Sequence, residues 1–235
     1  MTQFYGLGIG PGDPELITLK AFRILEKADY IIAPKARIKS DSLARNIVEE
    51  LFDEEKEFIE LEFPMTKNQV ELDKRYKNAA NLIMEKIEQG KSVAYLTIGD
   101  PLLYSTYIYL LNALNIRAPE LEIKTVPGIA AYSALASRAN FSLAEKDERV
   151  CICPVPSSME ELEKIITEND TTVIMKVAKK LPHVIALLQK MKLHKYTIFG
   201  SHVGMDTEKV IDGRLEEFVL NEKEGYLSTI IVRKK

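Results

Sequence analysis

Val93-Ala94-Tyr95-Leu96-Thr97-Ile98-Gly99-Asp100-Pro101 is the stretch that decides how this chain folds. A short continuous apolar run bounded by turn residues reads as a strand covered on both faces, the kind found in parallel sheets. Glycine then permits a sharp turn, aspartate suits a helix cap, and proline suits the position after the cap. The same chemistry occurs at Gly6-Leu7-Gly8-Ile9-Gly10-Pro11-Gly12-Asp13-Pro14, after an apolar segment over residues 3–9. It occurs a third time at Val126-Pro127-Gly128, which opens a run of small residues including Ala130, Ala131, Ser133, Ala134 and Ala136. In open parallel sheets ligands bind beyond the carboxyl ends of the strands. Any one of these turns reads equally well as a helix cap. The set of three reads as a binding edge.

The first loop fails the fingerprints it superficially resembles. A dinucleotide loop needs G-x-G-x-x-G. Counting from Gly6 places Pro11 last, and counting from Gly8 places Asp13 last. A phosphate-binding loop needs Gly-Lys-Ser/Thr, which is missing. The G-x-G-x-G form of Rossmann-type methyltransferases is matched by Gly6, Gly8 and Gly10. That fold wants an acid after the second strand, and here the chain reads Ile32-Ala33-Pro34.

Outward from these loops the pattern alternates. A helix is predicted with Ile17, Ala21, Ile24 and Ala28 on one face, then a strand over 30–33. A helix over 40–51, a strand over 58–63, a helix over 69–88 stopped by Gly90, the strand at 93 and a helix over 104–114 follow. This is the rhythm of an α/β fold with a largely parallel sheet flanked by helices. Residues 115–120 break the rhythm and read as the link between two α/β domains, 1–116 and 121–235. The second domain begins with a strand over 121–126 and a helix over 127–138. Strands recur near Val150, Thr172 and Thr197, and the apolar run 227–232 closes the sheet as an antiparallel strand, making it mixed.

Composition removes several classes. Thirty-two basic residues against 35 acidic ones give a net charge of -3, so no basic excess points to nucleic acid. No apolar run approaches the roughly 18 residues of a membrane span. Met1-Thr2-Gln3-Phe4-Tyr5 carries no basic region ahead of an apolar core, so no signal peptide is expected. Cys151 and Cys153 are too close along a strand for an unstrained disulfide and read as small hydrophobes in a reducing cytoplasm. His183, His194 and His202 lie far from both cysteines in sequence, and no metal site is expected. His202, in a candidate loop, reads as structural.

At this point the residues resemble the tetrapyrrole methylase family, the corrin and siroheme methyltransferases. The matches are Gly8-Ile9-Gly10-Pro11-Gly12-Asp13-Pro14 with Leu16-Ile17-Thr18, then Gly99-Asp100-Pro101, Val126-Pro127-Gly128, Val173-Ile174-Met175-Lys176 and Tyr226-Leu227-Ser228-Thr229-Ile230. Phe63-Pro64-Met65-Thr66, Leu102-Leu103-Tyr104-Ser105-Thr106 and Met175-Lys176-Val177, with the Tyr226 stretch, resemble the branch that methylates carbon 20 of precorrin-2. The Tyr104-Ser105-Thr106 stretch is closer to the branch whose substrate already holds cobalt. One departure is Ala130, where that branch often has serine.

The resemblance implies two α/β domains of tetrapyrrole methylase type with a cofactor cleft between them, and S-adenosylmethionine as methyl donor, released as S-adenosylhomocysteine. By position the cofactor meets Pro11, Ile98, Gly99, Asp100, Leu103, Ala130, Ala131, Met175, Gly204 and Leu227. The tetrapyrrole, rich in carboxylates, meets Lys35 and Arg37, with Met65, Thr66, Tyr104, Ser105 and Thr106. Lys39 and Lys67 extend the basic set. Family members are usually homodimers, and the composition leads us to expect a cytoplasmic chain with neither nucleic acid nor membrane as partner. The acceptor is an electron-rich carbon, so alignment matters most and no strong general base is expected. Competing readings are a methyltransferase of the same fold acting on another precorrin, a protein or RNA, and a non-catalytic tetrapyrrole carrier.

Overall fold

The computed structural model describes residues 3–35, 42–53, 56–64, 66 and 68–234. They fall into two compact units, Met1–Ala130 and Ala131–Lys235.

The first unit contains β1 (Phe4–Gly8), α1 (Leu19–Lys27), β2 (Tyr30–Lys35), α2 (Leu43–Glu49) and β3 (Phe58–Glu62), followed by α3 (Gln69–Glu88), β4 (Val93–Thr97), α4 (Tyr107–Arg117) and β5 (Ile123–Val126). The strands pair in the order β3-β2-β4-β1-β5, every pair parallel. All five residues of β4 are buried, as its unbroken apolar run requires. Helix α3 buries Tyr76, Ala79, Ala80, Ile83 and Ile87, a stripe at helical spacing, into a core shared with Phe4, Tyr95, Tyr107 and Leu110. Side-chain caps start the helices: Thr18 Oγ1 accepts from Ala21 N at 3.2 Å and Asn68 Oδ1 from Glu71 N at 3.3 Å. Gly90, at φ +81°, ends α3 as predicted.

Three expectations change in this unit. The predicted link over 115–120 begins inside α4, which runs to Arg117. The strand that follows pairs with β1, Phe4 opposite Ile123 and Leu7 opposite Val126, so it belongs to the first unit and not the second. The reason is tertiary. Without β5, β1 would present an open edge. The Tyr107 ring, which lies where a side chain on Gly6 would sit, hydrogen-bonds Thr125 Oγ1 through its hydroxyl at 2.7 Å. Lastly, Asp13 caps a single 3-10 turn, Pro14–Leu16, and α1 begins only at Leu19.

The second unit contains α5 (Ala131–Arg138), β6 (Val150–Pro154), α6 (Met159–Glu168), β7 (Thr171–Met175) and α7 (Leu181–Lys190), then β8 (Thr197–Ser201), β9 (Lys209–Asp212) and β10 (Ser228–Arg233). Its sheet runs β6-β7-β10-β8-β9 and is mixed. Strand β6 is parallel to β7, while β10 is antiparallel to both β7 and β8. The antiparallel strand predicted for the last apolar run is present, but it fills the middle of the sheet and does not close it. The edges are β6 and β9, the latter four residues flanked by charge that carry no strand signal of their own. Helices α6 and α7 cover one face through Leu162, Ile166, Leu181 and Val184, packed with Phe199, Ile230 and Val232.

Candidate functional site

The three glycine turns stand on β4, β1 and β5, immediate neighbours in the first sheet. Pairing continues past the strand ends. Ile9 N donates to Thr97 O at 2.9 Å, and Gly99 N donates to Gly10 O at 2.6 Å. Gly10 and Gly99 hold left-handed backbones, φ +77° and +76°. A Cβ on Gly8 would lie 2.6 Å from Gly128 Cα and 2.7 Å from Gly99 O. A Cβ on Gly128 would come within 2.8 Å of two Gly8 atoms. Three main chains therefore touch at one point, and only glycine lets them. Gly99 differs: a Cβ there would meet nothing within 4 Å, so conformation demands the glycine and its outer face stays bare.

Asp100 ties two of these turns together. Its Oδ1 accepts from Leu102 N at 2.9 Å, a local turn, and its Oδ2 accepts from Gly128 N at 3.1 Å. It does not cap the next helix; Thr106 holds that position without a side-chain cap bond. Pro11 is buried and Ile98 and Leu103 are half-buried on the same strand ends, and Ala130 is buried two residues beyond Gly128.

In the second unit Met175 ends β7 and Leu227 precedes β10. The register sets Thr229 opposite Met175 and Ser228 opposite Ser201, and His202 N donates to Leu227 O at 3.1 Å. Met175, Leu227 and the turn leading to Gly204 thus share one sheet end, and Ala131 opens α5. Backbone strain gathers there: Lys176, Ala178, His202 and Leu227 have φ of +53°, +45°, +50° and +46°, beside Gly204 at +82°. Such conformations cost about 1–3 kcal/mol each and cluster where ligands are clamped.

The expected substrate residues are placed less uniformly. Tyr104 is exposed and left-handed at φ +53°. Ser105 Oγ donates to the Pro101 carbonyl, and the Thr106 hydroxyl pairs with the buried Tyr95 hydroxyl at 3.1 Å. Both hydroxyls face the protein. Lys35 Nζ is bound to Glu60 at 2.6 Å, a contact that holds the Glu60 carboxyl below the usual carboxylate range. Thr66 Oγ1 accepts from Asn68 N at 3.1 Å just ahead of α3. Arg37 and Met65, with Lys39 and Lys67, lie outside the described residues.

Two residues escaped the sequence reading. Thr97, opposite Gly8 in the sheet, has a buried hydroxyl with no hydrogen-bond partner among the described residues. Threonine at a strand end signals only strand propensity. Leu102, two residues before the exposed Tyr104 in the loop that follows the Gly99 turn, is 56% exposed. Its two-leucine loop was the available signal. Burial pushes the Tyr76 phenol up to about 12 and raises Tyr95 and Tyr107, so these hydroxyls stay protonated. Burial likewise pushes the Cys153 thiol up to about 11. Among the described residues no three His, Cys, Asp or Glu side chains form a metal-ligating group, and no helix is long and apolar enough to cross a membrane.

The sequence model of the family Tetrapyrrole (Corrin/Porphyrin) Methylases matches residues 3–219. The chain is 38% identical to the probable cobalt-precorrin-2 C(20)-methyltransferase of Methanocaldococcus jannaschii, over 99% of this chain and 96% of that one. It is 33% identical to the cobalt-precorrin-2 C(20)-methyltransferase of Salmonella typhimurium, over 99% and 97%. The fold is shared with a solved cobalt precorrin-4 methyltransferase, at TM-score 0.72 and 18% identity over 98% and 94% of the two chains. It is shared also with a uroporphyrin-III C-methyl transferase from Thermus thermophilus complexed with S-adenyl homocysteine, at TM-score 0.63 and 19% identity over 99% and 97%.

Proposed function

The chain belongs to the tetrapyrrole (corrin/porphyrin) methylases, and from that premise we propose that it moves a methyl group from S-adenosylmethionine to carbon 20 of precorrin-2, with the cobalt chelate as its substrate. The observation that carries this reading is the similarity, along nearly the whole chain, to two proteins named for that reaction on the cobalt form.

S-adenosylmethionine supplies a methyl group on positively charged sulfur. The residues fit such a ligand. The turn at Gly99 offers bare main chain with open space where a side chain would stand, and the fused glycine turns fix that main chain in place. Met175, Gly204 and Leu227 keep the cofactor role the family resemblance gives them. Leu102 and Tyr104 offer exposed apolar surface suited to the flat macrocycle. Lys35 is already engaged by Glu60, and Lys35 and Arg37 keep the carboxylate-binding role expected of them, Arg37 lying outside the described residues. The protein's task is to align donor and acceptor and keep water out, not to create a strong base. The same reading has the enzyme working as a homodimer in the cytoplasm; gel filtration at the monomer's mass would remove the dimer.

The deciding experiment incubates the protein with isotopically labelled S-adenosylmethionine and, separately, cobalt-precorrin-2, metal-free precorrin-2 and cobalt-precorrin-4. One label on cobalt-precorrin-2, placed at carbon 20 by NMR, is expected. Labelling of only another substrate, or of none, overturns the proposal.

A further inference from the structure

We propose that Asp100 is a positioning residue, whose carboxylate clamps the turn after β5 onto the turn after β4 and so governs cofactor affinity through the main chain. The inference rests on the S-adenosylmethionine reading of the site, and it assigns Asp100 a different job from direct contact with the cofactor. Each carboxylate oxygen already holds a backbone N–H, one two residues away at 2.9 Å and one 28 residues away at 3.1 Å. A cap or local turn explains only the first. The second bond joins the ends of two strands that are not neighbours, since β1 lies between β4 and β5.

Gly128 has no side chain with which to anchor itself, and none would fit, because its position is filled by the main chain of Gly8 and Gly99. Its last sheet pairing is two residues back, where Val126 meets Leu7. The Asp100 carboxylate takes over at that point. A charged acceptor makes a bond about twice as strong as a neutral one, which suits a single clamp on an edge strand. Two residues beyond Gly128 the chain reaches Ala130 and then Ala131, the pair the family resemblance sets against the cofactor. A released clamp lets that pair drift, although neither residue touches Asp100 by any bond described.

The test compares the full-length wild type with Asp100→Asn and Asp100→Ala. Asparagine keeps the size but turns an amide NH2 toward one of the two N–H donors. Three readouts are taken: residue-resolved amide exchange with no ligand present, S-adenosylhomocysteine affinity by calorimetry, and steady-state constants with cobalt-precorrin-2. In Asp100→Ala, which leaves neither donor an acceptor, the Gly128 and Leu102 amides should both exchange at least about tenfold faster, and in Asp100→Asn one of the two should, while α3 and β4 stay protected. Affinity should fall about tenfold, with the rise in the cofactor's KM exceeding any fall in kcat. Unchanged Gly128 exchange in folded Asp100→Ala, or unchanged exchange of both amides in folded Asp100→Asn, overturns the clamp. Faster exchange with undiminished affinity overturns its link to the cofactor. Failure of the wild type itself to bind S-adenosylhomocysteine defeats the functional reading instead, and the exchange comparison still decides the clamp.

Discussion

At the scale of single residues, the site depends on atoms that are missing as much as on those present. Gly128 and Gly90 make the contrast testable. Gly90→Ala introduces a Cβ into open space at φ +81° and should cost about 1–2 kcal/mol of stability from conformation alone, leaving cofactor affinity unchanged. Gly128→Ala forces a Cβ against Gly8 and Gly99, and should cost at least as much while also weakening S-adenosylhomocysteine binding. Urea unfolding with calorimetry on both variants reads the difference; equal affinity in the two would contradict the crowding argument. Thr97 gives the opposite kind of prediction. Its buried hydroxyl has no described partner, so the isosteric Thr97→Val should leave stability unchanged or raise it by up to about 1 kcal/mol. A clear loss in the urea midpoint would mean that the hydroxyl is bonded after all. None of this was visible in sequence. The glycines were, but which main chains they admit depends on which strands stand side by side.

Among the elements, those with a complete local signal were legible to the residue. Helix α3 was expected over 69–88 and spans Gln69–Glu88, because twenty residues of amphipathic pattern end at a glycine stop. Strand β4 was legible because its whole run is buried. What failed was pairing. The segment over 121–126 reads as a strand, but its own residues do not say that β1 is its partner, and β9 has too little apolar character to be read at all. The far end of the first sheet shows a pairing device with a pH signature. Asp29, ahead of β2, accepts from Ser92 N at 2.8 Å and Ser92 Oγ at 2.7 Å, ahead of β4, and pairs with Lys91 at 3.2 Å. The bonds from Ser92 hold its carboxyl at about 2, against 3.8 for an unperturbed aspartate. The folded protein therefore favours the ionised form. The stabilisation is complete above about pH 4 and is lost as pH falls toward 2, and partial exposure keeps it under about 1 kcal/mol. Asp29→Asn should remove that contribution, so the stability gap between wild type and variant should shrink on acidification from pH 5 to 2.5. A constant gap in urea titrations across that range would rule the device out.

At the scale of the whole molecule, the first compact unit runs to Ala130, past the expected domain end at residue 116. The expected boundary near residue 116 would separate Thr125 from Tyr107 and strip β1 of a neighbour. A fragment of residues 1–130 should therefore unfold cooperatively, whereas a fragment of residues 1–116 should lose that transition or aggregate through the bare edge of β1. Circular dichroism on both fragments during heating checks this; identical melting would show β5 to be dispensable.

The central place of β10 bears on synthesis. Its partners β7 and β8 leave the ribosome first, and between them they have a strand-wide gap that only Ser228–Arg233 can fill. At about 5–20 residues per second, β7 waits several seconds for its antiparallel neighbour. For that interval the nascent second unit exposes two unsatisfied strand edges, while the first unit already has all five of its strands. Ribosome-bound chains halted before β10 should be the species that chaperones hold most tightly.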